Sequence, residues 1–165
     1  MLCPGNFYIG SLLHQAMKIT ISGVLGSGKS TIAKKVAKKY GLQHVSAGDF
    51  MREAAREKGM SILEFIEHAE NNPSVNIATD MMQKEFGENN TQFIVDGRLS
   101  WHFIPDSTKI FLTVDEEEGI KRILSHKRVA EEHDSFETAK QNALLRAQSE
   151  RRQYKEQYGF DYTDP

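Results

Sequence analysis

Eight residues near the amino end, Gly23-Val-Leu-Gly-Ser-Gly-Lys-Ser30, place three glycines, a lysine and a terminal hydroxyl at the spacing G-x-x-x-x-G-K-S. The run Ile19-Thr-Ile-Ser22 before them has strand character, and Thr31-Ile-Ala-Lys-Lys-Val-Ala-Lys-Lys39 after them is a strong helix former. A strand feeding a glycine-rich turn that opens a helix is what a phosphate-cradling loop needs. Glycine lets the main chain take angles that side chains forbid, so Gly23, Gly26 and Gly28 allow it to close on an anion. Successive N–H groups and the positive helix end then face a polyphosphate. Lys29 supplies a point charge at the β- and γ-phosphates, and the Ser30 hydroxyl a magnesium ligand. The expected nucleotide contacts are Gly23, Gly26, Ser27, Gly28, Lys29, Ser30 and Thr31, and the expected site is one for a nucleoside triphosphate.

Carboxylates and guanidinium groups form a second set. Asp96 closes the apolar run Thr91-Gln-Phe-Ile-Val-Asp96, and Asp49 follows the short extended run Gln43-His-Val-Ser46. Both fall at the carboxyl edge of a strand, where open α/β sheets bind ligands. Asp96 takes the position of a carboxylate that holds magnesium through water, since that ion keeps much of its hydration. Asp49 either orients the same water network or caps the helix that begins near Phe50. Late in the chain, Arg122, Arg128, Arg146 and Arg151 are candidates for a cationic lid over a transferring phosphoryl group. Helical spacing puts Ala143, Ala147, Arg151, Tyr154 and Tyr158 on one face, which predicts that Arg151 points inward and needs an anion. His126 and His133 lack metal-ligand spacing.

The elements that position these groups alternate. Strands are predicted at 17–22, 43–46, 91–96 and 109–114. Helices are predicted from the phosphate loop to Tyr40, with Gly41 as a left-handed stop, and from about Ala47 to Lys58. A further helix starts at the capping box Ser61/Glu64, and another from Asn72-Pro73 to about Phe86. Asp115/Glu118 and Asp134/Glu137 open two more, the last reaching about Tyr158. Phe65, Ile66 and Ala69 read as core of the inserted helices. Alternation of this kind argues for a parallel sheet covered on both faces.

A chain of 165 residues suits one domain. A formal charge of −2 with both signs interspersed gives no basic field for nucleic acid or an anionic membrane. No apolar run is long enough to span a bilayer. Cys3 is the single cysteine, so no intrachain disulfide forms, which suits a reducing, cytoplasmic setting. Residues 1–16, broken by Pro4, Gly5, Asn6 and Gly10, read as an extension ahead of a domain at 17–165. The expected partners are small nucleotides, with the chain a monomer or a weak homo-oligomer.

The phosphate loop, Gly48-Asp-Phe-Met-Arg52 and Asp96-Gly-Arg98 together resemble the nucleoside monophosphate kinases. The stretches Val45–Met60 and Ser149–Gly159 resemble in particular the archaeal-type cytidylate kinases. The resemblance implies a phosphate-loop α/β fold of strand order 2-3-1-4, a helical acceptor-binding insertion at about 47–88 and a lid at about 122–152. It implies ATP and Mg2+ as cofactors, and phosphorylation of CMP or dCMP. Gly48, Asp49, Arg52 and Arg98 would then bind the acceptor, with Arg52 and Arg98 on its phosphate. Lys29, Arg98, Arg146 and Arg151 would be catalytic, Ser30 and Asp96 would hold the metal, and Arg122 would stack on adenine. Arg146 rests on the resemblance alone. Two departures bear on the base: Ala47 and Leu99 stand where bacterial cytidylate kinases usually carry a serine and a carboxylate. The family's final strand is also missing. A kinase for adenylate or another small molecule, and an ATP-binding protein with weakened catalysis, stay open as alternatives.

Overall fold

The computed structural model describes residues 16–70, 72–125 and 136–163. Its elements run β1 (Met17–Gly23), α1 (Lys29–Tyr40), β2 (Gln43–Ser46), α2 (Ala47–Glu57), α3 (Ile62–Glu70), α4 (Pro73–Asn89), β3 (Gln92–Asp96), α5 (Ser100–Phe103), β4 (Thr108–Leu112), α6 (Glu116–Ser125) and α7 (Phe136–Tyr158). Asp134, His126, Lys127, Arg128, His133 and residues 1–15 lie outside the described residues.

Four parallel strands pair in the order β2-β3-β1-β4, as the alternation and the resemblance imply. The central strand β3 shows why. Its side chains alternate between faces, yet Phe93, Ile94 and Val95 are all fully buried. Phe93 and Val95 join Phe50, Leu99, Phe103, Ile104 and Tyr162 in one cluster. Ile94 joins Ile21, Ala33, Ala37 and Leu42 in another. A strand apolar on both faces has to sit inside a sheet covered on both sides.

The three helices between β2 and β3 carry a small core of their own, Ala54, Ala55, Phe65, Ala69 and Val75. Phe65 and Ala69 are core as expected, whereas Ile66 is 37% exposed. The Ser61/Glu64 capping box is formed, Ser61 N donating to Glu64 at 2.8 Å and Glu64 N to Ser61 Oγ at 3.3 Å. Pro73 stands in the first turn of α4. The helix runs three residues past the predicted Phe86, since Gly87 is carried inside it against Ile104. A second capping box, Ser46 with Asp49, starts α2 at Ala47 rather than at Phe50.

The short α5 has no periodic signature in the sequence. It forms because Ser100, Phe103 and Ile104 fold into the buried space behind the turn after β3. β4 ends at Leu112, two residues before the prediction, because its ladder with β1 stops where Gly23 pairs with Leu112.

Candidate active site

The loop from Gly23 to Lys29 lies at the carboxyl edge of β1, between β3 and β4. Two close approaches fix its path. Gly26 has φ 70°, and a Cβ there would sit 2.1 Å from the Gly119 carbonyl oxygen. Only two glycines allow α6 to pack so tightly on the loop. The N-cap of α1 is Gly28, and no side chain caps the helix. Its first N–H groups therefore face the loop's concave side. Ser27 Oγ in the same loop is buried, and among the described residues it and Trp101 Nε1 are the buried polar side-chain atoms that lack a hydrogen-bond partner. An uncapped helix start, an orphan hydroxyl and a lysine fit an anionic tail.

Lys29 Nζ donates to the carbonyl oxygens of Gly23 at 3.0 Å and Val24 at 3.1 Å. Burial and the nearby Arg98 pull its pKa down to about 8, with Asp96 and Glu150 acting the other way. These four charged groups thus share one neighbourhood. Asp96, 5% exposed, ends β3 and accepts from Ser30 Oγ at 2.5 Å through Oδ2. Its other oxygen, Oδ1, lies 2.5 Å from His44 Nε2. A hydroxyl and a carboxylate in contact form a hard-oxygen pair suited to magnesium, with phosphate and water completing the ion's coordination. Among the described residues no group of three or more His, Cys, Asp or Glu could hold a metal ion.

Arg98, two residues past Asp96, is largely buried. Its Nε and terminal nitrogen both donate to Glu150 Oε2, at 2.7 and 2.6 Å, and its guanidinium lies 4.8 Å from the Tyr162 ring centroid. Burial opposes the charge, but Glu150 and Tyr162 more than offset it and hold the Arg98 pKa above the usual guanidinium value.

Arg52 folds back over the first turn of α2. It pairs with Asp49, and a Cβ on Gly48 would stand 3.4 Å from its guanidinium. Asp49 also accepts from Ser46 N at 2.8 Å and Ser46 Oγ at 2.7 Å. Slight burial works against its charge, but the bonds from Ser46 and Arg52 prevail and lower its pKa to about 2. Asp49 is thus the third residue of α2 and the capping-box partner of Ser46, not the cap of a helix that begins at Phe50.

The late arginines differ from expectation. Arg151 does not point inward: its side chain is 54% exposed and donates through Nε to Asp161 at 2.6 Å. The inward face of α7 passes through Tyr154 and Tyr158 as predicted, but Glu150 stands on it in place of Arg151. The small alanines fit either face, so the tyrosines and the Glu150–Arg98 pair decide the rotation. Arg122 is half exposed and donates to Glu118 at 2.8 Å, three residues past Gly119 on α6. The Arg146 side chain lies outside the described residues, like Arg128.

Sequence reasoning missed three participants. His44 carried a signal in the register, because β2 and β3 are parallel with Ser46 opposite Asp96. Glu150 carried none, since a glutamate between Ser149 and Arg151 reads as a solvated helix residue. The third is a buried polar chain. Tyr158 OH donates to Asp80 Oδ2 at 2.8 Å, Gln83 Nε2 to Asp80 Oδ1 at 3.0 Å, and Ser100 Oγ to Gln83 Oε1 at 2.7 Å. It ties α4 and α7 to the turn that carries Arg98. Burial raises the Asp80 pKa to about 6 despite both bonds.

Fold and loop together define a phosphate-loop α/β kinase. The family model of the cytidylate kinase-like family matches residues 18–165, and the chain belongs to that family. It is 40% identical over 146 residues to the cytidylate kinase of Archaeoglobus fulgidus, covering 88% of this chain and 78% of that one. It is 36% identical over 148 residues to the cytidylate kinase of Methanothermobacter thermautotrophicus, covering 90% and 89%. A solved shikimate kinase from Bacteroides thetaiotaomicron shares the fold at TM-score 0.63 and 17% identity, over 86% of this chain and 82% of that one. Among the described residues no helix is long and apolar enough to cross a membrane.

Proposed function

We propose that the chain transfers the γ-phosphoryl group of ATP to CMP or dCMP, as the names of its relatives suggest. The observation that carries this is the shared neighbourhood of Lys29, Asp96 and Arg98 at the sheet's carboxyl edge, beside an uncapped helix start. In this reading an acceptor phosphate oxygen attacks the γ-phosphorus, the bond to the bridging oxygen breaks, and ADP leaves. The protein contributes position and charge, with no covalent intermediate.

Lys29 exchanges its two loop carbonyls for β- and γ-phosphate oxygens, and its ammonium is then held by the opposite charge. The amides of α1 and Ser27 Oγ take the remaining oxygens. Ser30 and Asp96 would hold Mg2+, which neutralises charge between the β- and γ-phosphates when bound. Arg52 and Arg98 fork onto the acceptor phosphate, with Gly48 letting Arg52 approach and Asp49 fixing the first turn beneath it. Arg122 stays beside the loop for the adenine, and Arg146 and Arg151 serve the lid at about 122–152. Residues 17–165 act as one kinase domain, the insertion at about 47–88 closing on the acceptor, with 1–16 as an extension.

A coupled assay of ADP release with ATP and each common monophosphate tests the reading. CMP and dCMP are expected to be the preferred acceptors. Preference for AMP or another acceptor would move the substrate, and no acceptor-dependent release at all would reduce the chain to an ATP binder.

A further inference from the structure

An arginine that binds a phosphate has to be charged, aimed and unspent when the phosphate arrives. Arg98 is charged and aimed, but its fork is already filled. Glu150 from α7 takes both its Nε and its terminal nitrogen, with a Tyr162 ring against the guanidinium. Both donors converge on the single oxygen Oε2, so one edge of the guanidinium is already held by an anion of the kind a phosphate oxygen would present. The pair is mostly enclosed, with the Arg98 and Glu150 side chains 16% and 23% exposed. Neither charge can therefore be surrendered cheaply to water. Glu150 also belongs to the charged set acting on Lys29, so it stands within the phosphate-binding field rather than on an outer surface.

We propose that Glu150 is a positioning residue that occupies Arg98 in place of the acceptor phosphate. The incoming monophosphate takes the guanidinium over, and Glu150 gives it up. The proposal rests on the reading of Arg98 as an acceptor-phosphate ligand. The exchange costs little because one anion replaces another on a guanidinium that is never left bare. It also reports occupancy to α7, which is attached as well through Tyr158 to Asp80 and the packing of Tyr154 and Tyr158. A filled acceptor site thereby loosens the helix that bears Arg146 and Arg151, and an empty one keeps it docked. Acceptor affinity is set by competition between two anions, of which one is built into the chain.

The test is calorimetric titration of CMP into the full chain, with acceptor and ATP KM values measured alongside. Glu150→Gln keeps the size of the side chain and removes the competing charge. CMP should then bind on the order of tenfold tighter, with the ATP KM unchanged. The free variant should melt lower than wild type, and added inorganic phosphate should restore more of the loss than it adds to wild type. In an Arg98→Ala background the same substitution should leave CMP affinity where it was. Unchanged or weakened CMP binding in Glu150→Gln overturns the proposal, because a residue that merely orients Arg98 gives that result. If Glu150→Gln does not fold, Glu150→Asp draws the carboxylate back by one methylene; it should still tighten CMP binding, and a failure to do so is equally fatal. The two levels of the argument separate cleanly. Should Arg98→Ala bind CMP as wild type does, the acceptor-site reading itself fails; should it bind weakly while Glu150→Gln gains nothing, only the role of Glu150 falls.

Discussion

In the proposed reading, the triphosphate side and the acceptor side of the site are built in opposite ways. On the triphosphate side most parts lie in the single stretch 23–30 and the backbone does the work, through Gly26 packed against Gly119 of α6, Gly28 as an open helix cap and Lys29 resting on loop carbonyls. On the acceptor side the parts come from α2, the turn after β3 and the carboxyl end of α7, and the cations are each held by a carboxylate. Arg52 pairs with Asp49, Arg98 with Glu150 and Arg151 with Asp161. A loop shaped by glycines needs no charge partner while it waits, whereas guanidinium groups on separate segments that are to converge on one phosphate would repel one another unless each has a counter-charge. One side is preorganised by main-chain geometry, the other by internal anions.

Substitutions can break that contrast, and the largest effect belongs to the loop. Lys29→Ala removes the one mobile cation on the triphosphate side and should lower kcat by about 10³-fold, with acceptor binding little changed, as steady-state kinetics will show. On the acceptor side Arg98→Lys keeps the charge but loses the fork. It should raise the CMP KM by at least about tenfold while kcat falls less, reversing the pattern of the loop variant.

Asp80 sharpens the comparison through stability. Its pKa in the fold is about 6, above the ordinary carboxylate value of 3.8, so the fold holds a proton that the unfolded chain gives up. The resulting cost is absent below about pH 4, grows as pH rises through that window and is complete above about pH 6. Asp80→Asn removes it, and a turned Gln83 amide can still satisfy both neighbours. The variant should be more stable than wild type at pH 7 by up to about 3 kcal/mol, a gain that shrinks towards zero at pH 4 in denaturant titrations. The smallest effect lies away from both sides, at Ser61→Ala. Loss of that cap should lower Tm by about 3 °C without touching kinetics.

Legibility followed the same divide. The strands and the phosphate loop could be read because each depends on local rules, such as the unbroken apolar run Phe93-Ile-Val95, a left-handed stop at Gly41 and a capping box at Ser61, whereas the strand order came from the resemblance. The acceptor side could be read in residue type but not in pairing. The face predicted for α7 put Arg151 inward because helical spacing places it among Ala143, Ala147, Tyr154 and Tyr158. Glu150 is inward instead, because Arg98 supplies a partner from 52 positions away. The Asp80–Gln83–Ser100 chain and α5 were hidden for the same reason, since Tyr158 reaches Asp80 from 78 positions away and Ser100 reaches Gln83 from 17. The inserted-helix core was legible at Phe65 and Ala69 and misjudged at Ile66, where a one-turn apolar repeat gave no measure of which flank faces α4.

The most direct measurement is acceptor-dependent ADP release from ATP with CMP, compared between wild type and Arg98→Ala at saturating ATP. The account predicts robust release by wild type, with the acceptor KM raised many-fold in the variant and the ATP KM unchanged. Equal acceptor KM values in the two proteins would contradict the convergence of Lys29 and Arg98 on one transferring group.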